Sequence, residues 1–232
     1  FGATRFTWRA VAPDLERSYE VHALDLFGCG ASPKPTDGDY SPEHQAKLVE
    51  AYISGRGLQH VTLMGHSFGG GVALLTALRL RHTSTLVRLV LVDAPLYPQP
   101  LPFFIHVLRS PLGALSTRLL PTRYQVTHVL RRTYHDPQAI DAGVVDTYAA
   151  SLRQPGAKDA LVSTARALVP DRVDAIAHEV RTLELPVLVL WGRHDRIVPI
   201  STGERLSREL PDATFVIVET SGHAPQIGRA HV

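Results

Sequence analysis

Gly65-His66-Ser67-Phe68-Gly69 is the segment of this chain best suited to chemistry. A G-x-S-x-G pentapeptide gains meaning where a strand turns sharply into a helix. Here an apolar run, Val61 to Met64, precedes it, and a helix-forming stretch from Phe68 to about Leu80 follows. So tight a turn strains the serine backbone and leaves no room for side chains two residues before and after, a demand that Gly65 and Gly69 meet. Gly70 and Gly71 are expected to let the helix approach the sheet closely. The strain would lift the Ser67 hydroxyl above the strand ends, within reach of a substrate.

A hydroxyl is a poor nucleophile until a base takes its proton. The chain has 12 histidines, and any one of them is more often a core or surface residue than a catalyst. His223 stands apart because it lies in Ser221-Gly222-His223-Ala224-Pro225, after the apolar run Ala213 to Val218. Open α/β sheets place their sites at the carboxyl ends of strands. His66 adjoins the serine, but neighbours in a turn point different ways, so it reads as structural or pocket-lining. The base in turn needs a carboxylate to fix its tautomer. Asp195, after the run Pro186 to Leu190, and Asp93, after Val87 to Val92, both occupy such positions.

These residues need a sheet to hold them. Short apolar runs alternate with amphipathic stretches, the pattern of strands and crossover helices in a mostly parallel sheet flanked by helices, an α/β fold. Tyr19 to Leu24 is a further strand candidate, rich like the others in buried-strand residue types. Ser41-Pro42-Glu43 reads as a helix start, with Leu48, Val49, Tyr52 and Ile53 at helical spacing and Gly55 and Gly57 at the end. Helices are also expected from Asp171 to Thr182, capped by Asp171, and from Glu204 to about Leu210. From Tyr97 to Pro170 the alternation breaks, and prolines punctuate helical patches that start near Ser110-Pro111 and Asp136-Pro137. Leu101, Phe103, Phe104, Ile105 and Leu108 would give this insertion an apolar underside, either packed on the core or lining a pocket. The expected division is therefore core at 1–96 and 171–226 around a helical cap at 97–170.

With 44% hydrophobic and 20% charged residues the chain is globular, which excludes disordered and fibrous classes. No apolar run reaches the ~18 residues of a membrane span. Its 24 basic residues are dispersed among 22 acidic ones, so a nucleic-acid partner is not indicated. The lone Cys29 cannot form an internal disulfide. No His/Cys spacing suggests zinc, and neither metal nor organic cofactor is required.

Together these residues resemble the α/β-hydrolases, in particular serine esterase and lipase-like members with a helical cap. Asp25-Leu26-Phe27-Gly28-Cys29-Gly30-Ala31-Ser32 looks like the family's D-x-x-G-x-G-x-S strand exit, Gly65 to Gly70 like its nucleophile elbow, Gly192 to Asp195 like its acid loop and Gly222-His223 like its histidine loop. The resemblance favours Asp195 over Asp93 and implies the order Ser67, Asp195, His223. It implies an oxyanion hole from the backbone N–H of Phe68 and, by transfer, of Phe1. Phe1-Gly2-Ala3 resembles the residues just after a His-Gly pair that ends the family's third strand, so the first strands are expected to be missing. That would leave a gap beside Val61 to Met64 and a poorly stable fragment. The family's closing helix is also expected to be absent, since 227–232 reads as one frame of a sequencing adapter and as a non-native tail. The implied activity is hydrolysis of a small-molecule carboxylic ester in the cytoplasm. Cleavage of carbon–carbon bonds in ring-cleavage products by the same triad is the runner-up, and a non-catalytic binding protein the more distant rival.

Overall fold

The computed structural model describes residues 1–227. Four strands, β1 (Val61–His66), β2 (Leu86–Val92), β3 (Val187–Gly192) and β4 (Ala213–Val218), form one parallel sheet in the order β1-β2-β3-β4. The register pairs His66 with Val92, Val92 with Leu190, and Gly192 with Val218. All four carboxyl ends therefore share one edge of the sheet, and whatever follows each strand is delivered there.

The helices, in chain order, are α1 (Ala12–Leu15), α2 (Pro42–Gly55), α3 (Phe68–Leu80), α4 (Phe103–Arg109), α5 (Gly113–Leu119), α6 (Thr122–Thr133), α7 (Ala142–Leu152), α8 (Ala157–Arg166), α9 (Val173–Glu179) and α10 (Ile200–Glu209). Ser41 caps α2 by accepting from the His44 N–H, with Pro42 at the first helical position. The main core packs α3, α9 and α10 on the sheet through Leu74, Leu78, Leu89, Leu91, Ile176, Trp191 and Leu206. Helices α4 to α8 all lie between β2 and β3 and contribute no strand. Among the described residues no helix is long and apolar enough to cross a membrane.

Several elements differ from the expectations. Tyr19 to Leu24 forms no strand. A strand needs a neighbour for its ladder, and β1 stands at the sheet edge with β2 as its one partner; the 19–24 segment is instead tied down by His22 Nδ1 bonding the Tyr52 hydroxyl on α2. Helix α10 begins at Ile200, earlier than Glu204, because Pro199 initiates it. Asp171 caps nothing: α9 begins after Arg172, and a 3-10 turn covers Val180–Thr182. Asp136 caps only the 3-10 turn Pro137–Ala139, whereas Asp141 accepts from the Gly143 and Val144 N–H groups at the start of α7. Of the expected apolar underside, Ile105 and Leu108 are buried against Val162 and Ala165, but Phe103 is 73% exposed. At about 100° per residue, Phe103 lies nearly opposite Ile105 on α4. Ile227 is buried against Val126 and Tyr134; the remainder of the expected tail, 228–232, lies outside the described residues.

The elbow glycines divide unequally. A Cβ on Gly65 would sit 2.2 Å from the Gly69 carbonyl oxygen, and one on Gly70 would sit 2.5 Å from the Ala94 Cβ, so both close approaches need glycine. A Cβ on Gly69 would meet nothing within 4 Å, and one on Gly71 only an ordinary contact at 3.5 Å. Of the two glycines that flank the serine in the motif, the crowding thus falls on Gly65 and not on Gly69. Gly65→Ala should destabilise the chain by ~1–3 kcal/mol in urea titration, whereas Gly69→Ala should be neutral or stabilise by ~0.5–1 kcal/mol through its helical propensity. Equal losses from the two would overturn this account.

Candidate active site

Ser67 follows β1 directly, with φ 52° and ψ −125°, a conformation that L residues rarely hold. Such strain costs on the order of 1–3 kcal/mol and survives only where neighbours enforce it. The Ser67 N–H donates to the Val92 carbonyl at 2.9 Å, and its carbonyl accepts from the Gly70 and Gly71 N–H groups. The next residue, Phe68, opens α3, and among the described residues its N–H has no backbone acceptor, as expected for the first turn of a helix.

His223 Nε2 lies 2.8 Å from Ser67 Oγ, and His223 Nδ1 lies 2.7 Å from Asp195 Oδ2. A carboxylate only accepts, so Nδ1 carries the proton and Nε2 turns its lone pair to the serine hydroxyl. The other Asp195 oxygen accepts from the backbone N–H groups of Ile197 at 2.7 Å and Val198 at 3.0 Å. The acid is thereby fixed at both oxygens, and its side chain is fully buried.

The histidine loop is held from three sides. The His223 N–H donates to the Thr133 carbonyl at the end of α6, at 2.8 Å. Its own carbonyl accepts from His66 Nε2 at 2.5 Å. Gly192 and Gly222 touch so closely that a Cβ on Gly192 would sit 1.8 Å from the Gly222 carbonyl oxygen. His66 is thus a neutral donor in this network, and burial together with the nearby His223 pushes its pKa well below the usual value. Thr133 escaped sequence reasoning because its contribution is a backbone carbonyl, for which side-chain type carries no signal.

Of the two candidate acids, Asp195 bonds the histidine and Asp93 does not. Asp93, with φ 46° and no exposed surface, accepts from the Gly192 N–H through Oδ1 at 2.9 Å. Its Oδ2 is buried without a hydrogen-bond partner. Burial first, and the charge of Asp195 second, hold the Asp93 carboxyl well above the ordinary carboxylate range. Two carboxylates side by side disfavour a second negative charge.

His66, Asp93 and His223 each place one potential ligand atom within 4.8 Å of the others. Both His223 nitrogens and His66 Nε2 are engaged in hydrogen bonds, so a cation there would have to break the network. A cavity of about 970 Å³ opens over Ser67, Phe68 and His223, with Phe1, Leu74, Leu161 and Leu168 among its mainly apolar lining.

The Asp93 shift has a measurable sign. Its pKa rises on folding from an unfolded value near ~3.9, so the folded state binds the extra proton and stability falls as pH climbs above that value. Asp93→Asn keeps an acceptor for the Gly192 N–H and removes the titration. As pH rises above ~4 the wild-type chain should lose stability relative to D93N in paired denaturation series. Identical pH slopes would mean that folding leaves the Asp93 pKa unshifted.

The chain matches the model of the alpha/beta hydrolase fold over residues 1–230. It is 29% identical over 233 residues to the 2-hydroxymuconate semialdehyde hydrolase of Pseudomonas sp. (strain CF600), covering 96% of this chain and 76% of that protein. Similarity to the uncharacterized hydrolase YugF of Bacillus subtilis (strain 168) is 27% over 224 residues, covering 96% of this chain and 80% of the relative. A thermophilic esterase from Thermogutta terrifontis has a TM-score of 0.79 to this structure at 25% identity, over 98% of this chain and 81% of that one. With a parallel sheet, a serine at its strand-to-helix elbow and this match along nearly its whole length, the chain belongs to the alpha/beta hydrolase fold family and is a hydrolase.

Proposed function

We propose that the chain cleaves carboxylic esters of apolar acids through an acyl-enzyme on Ser67. The observation that carries this reading is the unbroken hydrogen-bond path from Asp195 through His223 to Ser67, opening into an apolar cavity. His223 Nε2 takes the hydroxyl proton as Ser67 Oγ bonds the acyl carbon. The ester C–O bond then breaks, and His223 returns the proton to the departing alkoxide. A water deprotonated by His223 attacks the acyl-enzyme, releasing the acid and restoring the serine. Asp195 orients the imidazole and stabilises its cation. The unpaired Phe68 N–H, with a second donor at Phe1, would face the oxyanion. In this reading helices α4 to α8 act as a cap over the core.

Carbon–carbon cleavage is the second reading, favoured by the likeness to the 2-hydroxymuconate semialdehyde hydrolase of Pseudomonas, whose substrate name denotes a muconate carboxylate. The lining argues for the ester. Among the described residues Arg109 is its one Lys or Arg, and it is exposed, so none of them offers a carboxylate-bearing substrate a buried cationic anchor.

Ser67→Ala should lower kcat for a chromogenic acyl ester by ~10⁴-fold or more, and a fluorophosphonate should add to Ser67 as located by mass spectrometry. A variant that keeps most of its activity would remove Ser67 from the mechanism. Faster turnover of a vinylogous 1,5-diketone than of any ester tried would transfer the assignment to carbon–carbon cleavage.

A further inference from the structure

Helix α5 is inverted with respect to the usual amphipathic arrangement. Leu112, Leu115 and Leu119 recur at spacings of three and four, which places them on one face, and they are 65%, 52% and 72% exposed. The opposite face, Gly113 and Thr117, is buried and is fastened by Lys158 Nζ donating to the Thr117 carbonyl. The exposed stripe continues into Leu120 and Tyr124, which are also exposed and which line the cavity above Ser67, as does Phe103 on α4.

Along the chain the segment that carries this stripe is basic. Between Asp93 and Asp136 the sequence carries five arginines and no acid. The 97–170 segment as a whole has eight Arg or Lys against four Asp, whereas the rest of the chain has more acids than bases. Arg118 and Arg123 pair with Asp159 on α8 and Asp146 on α7. Arg109, Arg131 and Arg132 are exposed and form no ion pair among the described residues. An apolar stripe among cations, continuous with an apolar cavity, has the composition of a surface that lies on a membrane instead of crossing it.

We propose that the exposed face of α5 docks on an anionic lipid bilayer and that the cavity mouth beside it takes long-chain acyl esters from that surface to Ser67. The docking stands independently of the chemistry; the delivery of acyl esters rests on the ester reading above.

The test uses the whole chain with vesicles of phosphatidylcholine containing phosphatidylglycerol, and with vesicles of phosphatidylcholine alone. The wild-type chain should cosediment with the anionic vesicles and bind the neutral ones more weakly. Replacing the stripe (Leu112→Ser, Leu115→Ser, Leu119→Ser) should lower partitioning ~100-fold or more. Those three residues lie outside the cavity lining, so hydrolysis of a soluble short-chain ester should be unchanged in the triple variant, which also reports that it folds. Hydrolysis of a long-chain ester presented in vesicles should fall with binding. Undetectable wild-type binding, or equal binding by wild type and triple variant, overturns the docking surface, as does a concentration-dependent dimer that the triple variant abolishes while vesicles remain unbound. Vesicle binding by a wild-type chain that hydrolyses no ester would leave the surface standing and remove the ester reading alone.

Discussion

The hydrogen bond between His223 and Ser67 joins the two outermost strands of the sheet. Strands lie about 4.8 Å apart, so a loop leaving β4 must reach back across β3 and β2 to meet a side chain that follows β1. A reach of that length is useless unless it is stiff, because ~1 Å of misplacement at a reacting group can cost a hundredfold in rate. Much of the local structure serves this one demand. The strained serine backbone brings the hydroxyl toward the histidine, the mutual contact of Gly192 and Gly222 stacks the acid loop on the histidine loop, and carbonyl and imidazole partners pin the base at both ends of its peptide unit.

Charge is arranged with equal economy. Two aspartates lie beside one another under the sheet edge, and they are distinguished by what their oxygens find. Backbone donors and the imidazole satisfy both oxygens of Asp195, whereas Asp93 has one satisfied and one orphaned oxygen. Burial and the charge of Asp195 raise the pKa of Asp93. Asp93 braces the Gly192 peptide through Oδ1, and Asp195 is the acid that meets the imidazole.

The chemistry-bearing residues were legible in the sequence because each sits in a short loop after an apolar run, and the parallel sheet converts four such positions into one cluster. Helix starts were legible where a side chain makes the cap, as at Ser41, and misplaced where the cap is a proline or a neighbouring residue, as at Pro199 and Asp141. Tyr19 to Leu24 has strand-like residue types but pairs with no strand among the described residues, and pairing is a tertiary fact. Gly69 shows a related limit: the motif contains two flanking glycines, and only coordinates reveal that the steric need belongs to Gly65. The outward stripe on α5 was hidden because exposure is a property of what surrounds a helix.

The carbonyl of Thr133 gives the helical insertion a mechanical grip on the base. Helix α6 lines the cavity with Val126, Val129 and Leu130, and its last residue holds the His223 N–H. The same helix that shapes the cavity therefore sets the position of the imidazole's backbone. Grafting another relative's insertion onto this sheet therefore exchanges more than a pocket: the donor segment must end with an acceptor in the same place, or the recipient inherits a new selectivity together with a misaligned base.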